Sequence, residues 1–312
     1  MEYARIRGIA GQEMKQVISK PPADWQDAHS QVEADDFYAV LHLVNTLLKD
    51  DLLGIRLGEF MQLKALGLVY RISLQATTVE EGFYYLKSYL AASLPLIEID
   101  TQISANNAAI TLDIENNYTS ENRIIIENVL TLIARELCIM SGEKISMQLC
   151  SPFYHTAYPD NWQKGGNFSL SFTNTIFKAS LQDNSRWKLE LLVPEYLKMI
   201  ESLKTDQSFT SQVKITMLSM AGPELPDLES VADTLYMTAR TLQRRLESES
   251  TTFRQITAAL KKEISFLLIA HNQYSVADIA LVLGFSEPAS FIHSFTRWYG
   301  NSPLKFRQQL SG

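Results

Sequence analysis

The stretch Ser275–Trp298, SVADIALVLGFSEPASFIHSFTRW, decides the fold of the C-terminal part of this chain. Ser275 and Asp278 have the S-x-x-D form of a capping box, so a helix starts there. Ile279, Ala280 and Leu283 recur at helical spacing and form its inner face. Gly284 suits the left-handed residue at a helix end, because it has no Cβ to clash. Ser286 is the expected cap of the next helix. Pro288 falls in that helix's first turn, where no amide partner is lost. Phe291 and Phe295 then face the core. The pattern is a helix-turn-helix.

The same pattern occurs earlier, at Asp227–Glu249, DLESVADTLYMTARTLQRRLESE. Asp227 caps a short helix with Leu228, Val231, Ala232 and Leu235 inside, and Tyr236-Met237 make the turn. Thr238 caps a second helix with Leu242 and Leu246 inside and Arg240, Gln243, Arg244 and Arg245 outside. A long helix over 252–270 joins the two patterns. A helix fits the major groove of DNA, where Arg can fork onto guanine and Gln onto adenine. Arg240, Gln243 and Arg244 stand at i, i+3, i+4 and so share one face. Any amphipathic helix places Arg and Gln outside, and one such face is ordinarily just solvated. Two in tandem, with caps, a central Gly and a joining helix, point to DNA reading.

These residues carry a resemblance. LESVADTLYMTARTLQRRLESESTTFRQI, KKEISFLLI and VADIALVLGFSEPASFIHSFTRWYGNSPLKFR resemble the AraC/XylS family DNA-binding domain, over residues 213–311. The resemblance implies a transcription regulator that sets two reading helices into successive major-groove segments. By position it puts base contacts on Arg240, Gln243 and Arg244, and in the second pattern on Glu287, Ala289, Ile292 and His293. It puts phosphate contacts on Thr238, Ser286, Thr296, Arg297 and Lys305. Trp298, Phe306 and Leu310 are expected in the core. The chain departs from the family at His293, where Arg is common, and at Ile292, where a polar residue is frequent. An Arg fork gives about 1–3 kcal/mol of base discrimination, which His cannot match, so the second helix is expected to choose sequence less.

The first two-thirds of the chain reads as α+β. Phe37, Val40, Leu41, Val44, Leu47 and Leu48 form a helical stripe, with Asp35 or Asp36 as its cap. A second helix spans 78–92, with Thr78 as cap. Leu68, Tyr70, Ile72 and Leu74 alternate as a strand. Ile97–Ile103 and Ile110–Ile114 form a hairpin around Asn106-Asn107, since Asn tolerates positive φ. Thr119–Ser141 is a long helix opened by Ser120 and closed by Gly142. Further strands fall at 144–153, 168–172 and 187–193.

DDLLGIRLGEF, LGLVYRISLQATTVEEGFYYLKSYL and TNTIFKASLQDNSRWKLELLVP resemble, more faintly, the arabinose-binding-type N-terminal domain of one branch of that family. This implies a small-molecule effector and dimerisation, without naming the ligand or its pocket. Arg71 reads first as a surface residue, and Phe83, Tyr84, Tyr85 and Tyr89 as core. Tyr154, His155, Tyr158 and Trp162 form a polar-aromatic loop. The expected division is an effector domain over 1–203, a linker over 204–212 and a DNA-binding domain over 213–312. The fold class is thus an α+β effector domain followed by an all-α domain with two helix-turn-helix subdomains joined by a long helix. RNA polymerase and a second copy of the chain are the further expected partners.

Of the 312 residues, 46% are hydrophobic and 20% charged, which excludes disordered and low-complexity classes. Two cysteines cannot make a disulfide framework, no run of ~18 apolar residues spans a membrane, and a cytoplasmic location is expected. The net charge of −7 divides unequally. Residues 213–312 hold ten cations and nine acids, so the acidity belongs to the first two-thirds. The sequence lacks the phosphate-loop, dinucleotide, serine-elbow and H-E-x-x-H motifs. No enzyme activity, cofactor or metal is therefore expected. The resulting expectation is an effector-controlled transcription activator. The alternative is a regulator that acts mainly through protein partners and reads DNA weakly.

Overall fold

The computed structural model describes residues 1–20, 32–61, 76–115, 119–141, 145–181, 199–200, 202–203, 205–206, 208–221, 225–270 and 275–311. The expected strands over 68–74, with Arg71, and 187–193 lie outside these residues, as does Gly142. By compactness the chain forms two units. One comprises residues 1–59, 87–134 and 146–174, the other residues 60–86, 135–145 and 175–312.

The first unit opens with α1 (Glu2–Ile6), α2 (Gly11–Gln16), α3 (Ala34–Leu48) and α4 (Leu53–Phe60). Neither Asp35 nor Asp36 caps α3, whose N-cap is Glu33. Asp36 is buried and accepts the N–H groups of Ser19 and Lys20 at 2.7 and 3.0 Å. Of the expected stripe only Val44 is fully buried, while Phe37 and Leu47 are 36% and 49% exposed. Periodicity defines an apolar face but not whether another element reaches it.

The α6 helix (Ser120–Ser141) is the backbone of this part of the chain. Its cap is Thr119 rather than Ser120: the Thr119 hydroxyl accepts the Asn122 N–H at 3.1 Å, whereas Ser120 donates to Glu121. It buries Ile124, Ile125, Ile126, Val129, Leu130, Ile133, Leu137 and Met140, more than one amphipathic stripe. Gly54 and Gly58 let α4 approach it closely. A Cβ on Gly54 would stand 2.6 Å from the Ile124 carbonyl oxygen, and one on Gly58 2.7 Å from Thr131 Cβ.

A mixed five-stranded sheet completes the unit, ordered β1-β2-β5-β3-β4. Its strands are β1 (Ile97–Ile103), β2 (Asn107–Ile114), β3 (Gln148–Ser151), β4 (Trp162–Lys164) and β5 (Phe168–Thr173). All pairings are antiparallel except β3 with β4. Ile110 faces Leu170 and Leu112 faces Phe168, all four buried. The hairpin is where the sequence places it, but its turn differs. Neither Asn106 nor Asn107 has positive φ. Ser104 closes the turn instead, donating from N–H and hydroxyl to the Asn107 carbonyl and accepting the Asn107 N–H. β4 escaped the sequence reading because three residues are too few for alternation to register.

The α5 helix (Val79–Ser93) has the expected core face, with Val79, Phe83 and Leu86 fully buried. Thr78 caps it by accepting the Glu81 N–H. Phe83 stacks on Phe177 at 5.5 Å. Tyr84, Tyr85 and Tyr89 are 44–47% exposed, not core, because at helical spacing they lie off the Phe83 line.

The C-terminal elements are all helical: α7 (Phe209–Ser219), α8 (Leu228–Thr234), α9 (Ala239–Ser248), α10 (Phe253–Ala270), α11 (Val276–Val282), α12 (Pro288–Tyr299) and α13 (Pro303–Ser311). The joining helix α10 buries Ile256, Leu260, Ile264, Leu268 and Ile269 and packs against α7, α11, α12 and α13. Rings of Phe266, Phe295, Tyr299 and Phe306 cluster with centroids 4.7–6.1 Å apart. Trp298 and Phe306 are half-buried, but Leu310 is 48% exposed, not core. It sits in the last turn of α13. Among the described residues, no helix is long and apolar enough to cross a membrane, and no side-chain group could hold a metal ion.

Candidate DNA interface

In the first helix-turn-helix, Asp227 caps α8 by accepting the Ser230 N–H at 2.8 Å. Val231, Ala232 and Leu235 are buried. The chain turns through Tyr236, which adopts φ 57°, and Met237 N–H donates to the Ala232 carbonyl at 2.9 Å. A tyrosine therefore occupies the left-handed position that glycine usually takes. Thr238 caps α9 by accepting the Thr241 N–H at 3.2 Å. Leu242 and Leu246 are fully buried, which fixes the rotation of α9 about its axis. Arg240, Gln243 and Arg244 are consequently all exposed on one side. Glu247 lies on the same side and is exposed, so this face is not uniformly cationic.

Arg245 differs from its three neighbours. Its guanidinium carbon lies 3.8 Å from the centroid of the Phe209 ring, on α7. The residue after α9, Glu249, accepts the N–H groups of Phe209 and Thr210 and the Thr210 hydroxyl at 2.8, 2.8 and 2.6 Å. Those bonds, the Thr210 hydroxyl first, hold the Glu249 carboxyl below the usual range. Sequence patterning missed this contact. Its partners stand about forty residues apart, and a terminal Glu in an RRLESE run carries no signal of a distant acceptor role.

The second helix-turn-helix has the expected capping box, with both Ser275–Asp278 bonds formed. Ile279, Ala280 and Leu283 are buried, and Gly284 takes φ 66°. Ser286 does not cap α12. The N-cap is Glu287, whose side chain accepts the Ser290 hydroxyl at 3.3 Å but no backbone N–H among the described residues, and Pro288 occupies the first turn. Proline removes one of the orphan amide donors, so the start needs less capping and moves one residue on. Phe291 and Phe295 are fully buried. Glu287, Ala289, Ile292 and His293 are exposed, with Ile292 at 39%. Ser286, Arg297 and Lys305 are also exposed. Two of the hydroxyls expected at phosphates already have partners: Thr238 caps α9, and Thr296 donates to the Ile292 carbonyl at 2.8 Å.

Two exposed helices, each locked by a buried pair on its inner side and connected in the chain by one long helix, define a tandem helix-turn-helix transcription regulator. Residues 231–309 match the family model of the helix-turn-helix domain, and residues 9–160 match that of the arabinose-binding domain of AraC transcription regulators. An HTH-type transcriptional regulator of Mycobacterium tuberculosis is 23% identical over 328 residues, covering 99% of this chain and 94% of its own. The HTH-type transcriptional regulator VqsM of Pseudomonas aeruginosa is 42% identical over 87 residues, 28% of this chain and 27% of that one. The transcriptional activator AggR of Escherichia coli is 24% identical over 160 residues, 47% of this chain and 58% of that one. The chain belongs to the AraC family of transcription regulators.

Proposed function

We propose that this chain is a sequence-specific transcription activator whose DNA binding is switched by a small-molecule effector. The observation that carries the DNA-reading part is α9. Its buried Leu242 and Leu246 leave Arg240, Gln243 and Arg244 exposed on one face with the geometry of base readout. In this reading residues 1–203 hold the effector, 204–212 link, and 213–312 bind DNA. Glu287, Ala289, Ile292 and His293 meet bases less selectively. Ser286, Arg297 and Lys305 hold phosphates, with Thr238 and Thr296 beside them. Activation is supported by the relative named as an activator, and contact with RNA polymerase and a homodimer belong to the same proposal. Effector control is supported by the arabinose-binding-type match over residues 9–160. An effector that binds one conformation better shifts the population toward the form that reads DNA.

The test is selection of duplexes from a random pool by the full chain. A single enriched motif is expected, and Arg240→Ala and Arg244→Ala should each relax it at one or two positions. An unchanged motif in both variants overturns the assignment of α9. A second reading, action mainly through protein partners, is favoured by the exposed Ile292 on the second reading helix. Affinity measured against salt separates the two, since each phosphate contact adds about −0.9 to the logarithmic slope. A flat response favours the protein partner.

A further inference from the structure

The first turn of α7 has orphan amide donors that its own backbone cannot satisfy. The Ser208 hydroxyl caps the helix by accepting the Ser211 N–H at 3.1 Å, and two carboxylates take up the others. Asp206 acts locally, accepting the Ser208 N–H at 2.8 Å and the hydroxyls of Ser208 and Ser211 at 2.9 and 2.6 Å. Glu249 acts from the far end of α9, bonding Phe209 and Thr210. Glu249 is also the C-cap of α9, and the next residue, Ser250, takes φ 59°. The chain therefore turns sharply at the point where the carboxylate is held. Beside it Arg245 covers the Phe209 ring.

At ~100° per residue, Arg245 and Glu249 lie roughly 140–180° around α9 from Arg240. They cannot share the Arg240 face. A cation that charge counting would assign to DNA is thus directed at an aromatic ring instead. The buried Leu242 and Leu246 set the rotation of α9, but apolar packing is non-directional and leaves its tilt and slide soft. A carboxylate bridging two amides and a hydroxyl is directional and fixes one end of the helix.

We propose that Glu249 and Arg245 are positioning residues for DNA reading. They pin the first reading helix to α7, the helix that begins within the linker segment, at Phe209. The hydrogen-bond cluster that includes Asp206 and Ser208 then ties these linker residues to the orientation of Arg240, Gln243 and Arg244. This rests on the proposed reading of DNA by α9.

The experiment uses the full chain, a duplex selected by the wild-type chain and a scrambled duplex of equal length. Fluorescence anisotropy gives affinity for each, across a salt series, with a melting curve for each variant. Glu249→Ala is expected to lower the selected-to-scrambled affinity ratio about tenfold, with the salt slope unchanged because no phosphate contact is lost. Glu249→Gln keeps an acceptor oxygen and should recover part of the ratio, and it serves in place of Glu249→Ala if that variant fails to fold. Arg245→Lys keeps the charge but loses the planar stack, and should lower the ratio at constant salt slope. A ratio within twofold of wild type in Glu249→Ala overturns the proposal, and so does one in Glu249→Gln where Glu249→Ala does not fold. So does an Arg245→Ala variant whose salt slope falls by about one unit, which would make Arg245 a phosphate contact. Arg240→Ala in the same assay separates the two readings. If its ratio is unchanged, α9 does not read DNA; if it falls while the Glu249 variants do not, only the positioning role fails.

Discussion

The hydroxyl of Tyr158 donates to the buried carboxylate of Glu127 at 2.5 Å. Tyr158 comes from the polar-aromatic loop, where its ring packs against Tyr154, His155 and Trp162. Glu127 comes from the middle of α6, and Ser151 donates to the same oxygen at 2.9 Å. Arg123 supplies the countercharge at 3.3 Å and lies over the Phe153 and Tyr158 rings. Burial pushes the Glu127 carboxyl upward, and the Arg123 charge and the Tyr158 and Ser151 bonds pull it back. The loop is thereby fastened to the long helix. Tyr158→Phe keeps the ring and deletes the donor, and should destabilise the chain by about 1–3 kcal/mol in chemical denaturation. A midpoint unchanged from wild type would mean the bond contributes nothing.

Glu136, on the same helix, is fully buried, and neither carboxylate oxygen has a hydrogen-bond partner among the described residues. Burial raises its carboxyl well above the usual range, with the neighbouring Arg135 only partly opposing. The folded value thus exceeds the unfolded one, about 4.3. Its contribution to stability is fully present below the unfolded value and is lost as pH rises through the folded value. Glu136→Gln removes the charge at similar volume. It should raise stability at pH 7 and flatten the fall expected above pH ~4 in urea melts of the wild-type chain.

Gly54 and Gly300 are constrained for opposite reasons, and alanine separates them. Gly54→Ala collides with the Ile124 carbonyl, a backbone atom that cannot step aside, and overpacking costs about 1–3 kcal/mol. Gly300→Ala meets nothing within 4 Å but must adopt φ 76°, which costs about 1–2 kcal/mol. Gly58→Ala would meet the Asn128 carbonyl oxygen at 2.9 Å as well as Thr131 Cβ at 2.7 Å, so shrinking Thr131 should not restore its melting temperature, and no neighbouring change should rescue Gly300→Ala.

His293→Arg places a forked donor on the exposed side of α12. The selected DNA motif should gain a guanine at one position of the second half, worth about 1–3 kcal/mol over other bases. An unaltered motif would indicate that α12 does not face base edges.

The helix boundaries of the reading motifs were legible because they are local. Asp227, Thr238 and the Ser275–Asp278 pair cap within four residues of where they stand, and Leu242, Leu246, Phe291 and Phe295 repeat at helical spacing. Ser286 was misread by one residue because proline altered how many amides needed a cap. Phe37 and Leu47 were misread because an apolar stripe does not say what covers it.

By itself, then, the sequence determined the succession of an α+β part and a tandem helix-turn-helix, and the face of α9 that carries Arg240, Gln243 and Arg244. These follow from period, caps and turns, which act over a few residues. Tertiary structure alone decided that Arg245 leaves that face for Phe209, that Glu249 caps a helix forty residues away in the chain, and that Glu127 and Tyr158 meet. Each of those depends on two segments arriving together, and a directional bond between distant segments leaves no periodic trace in either one.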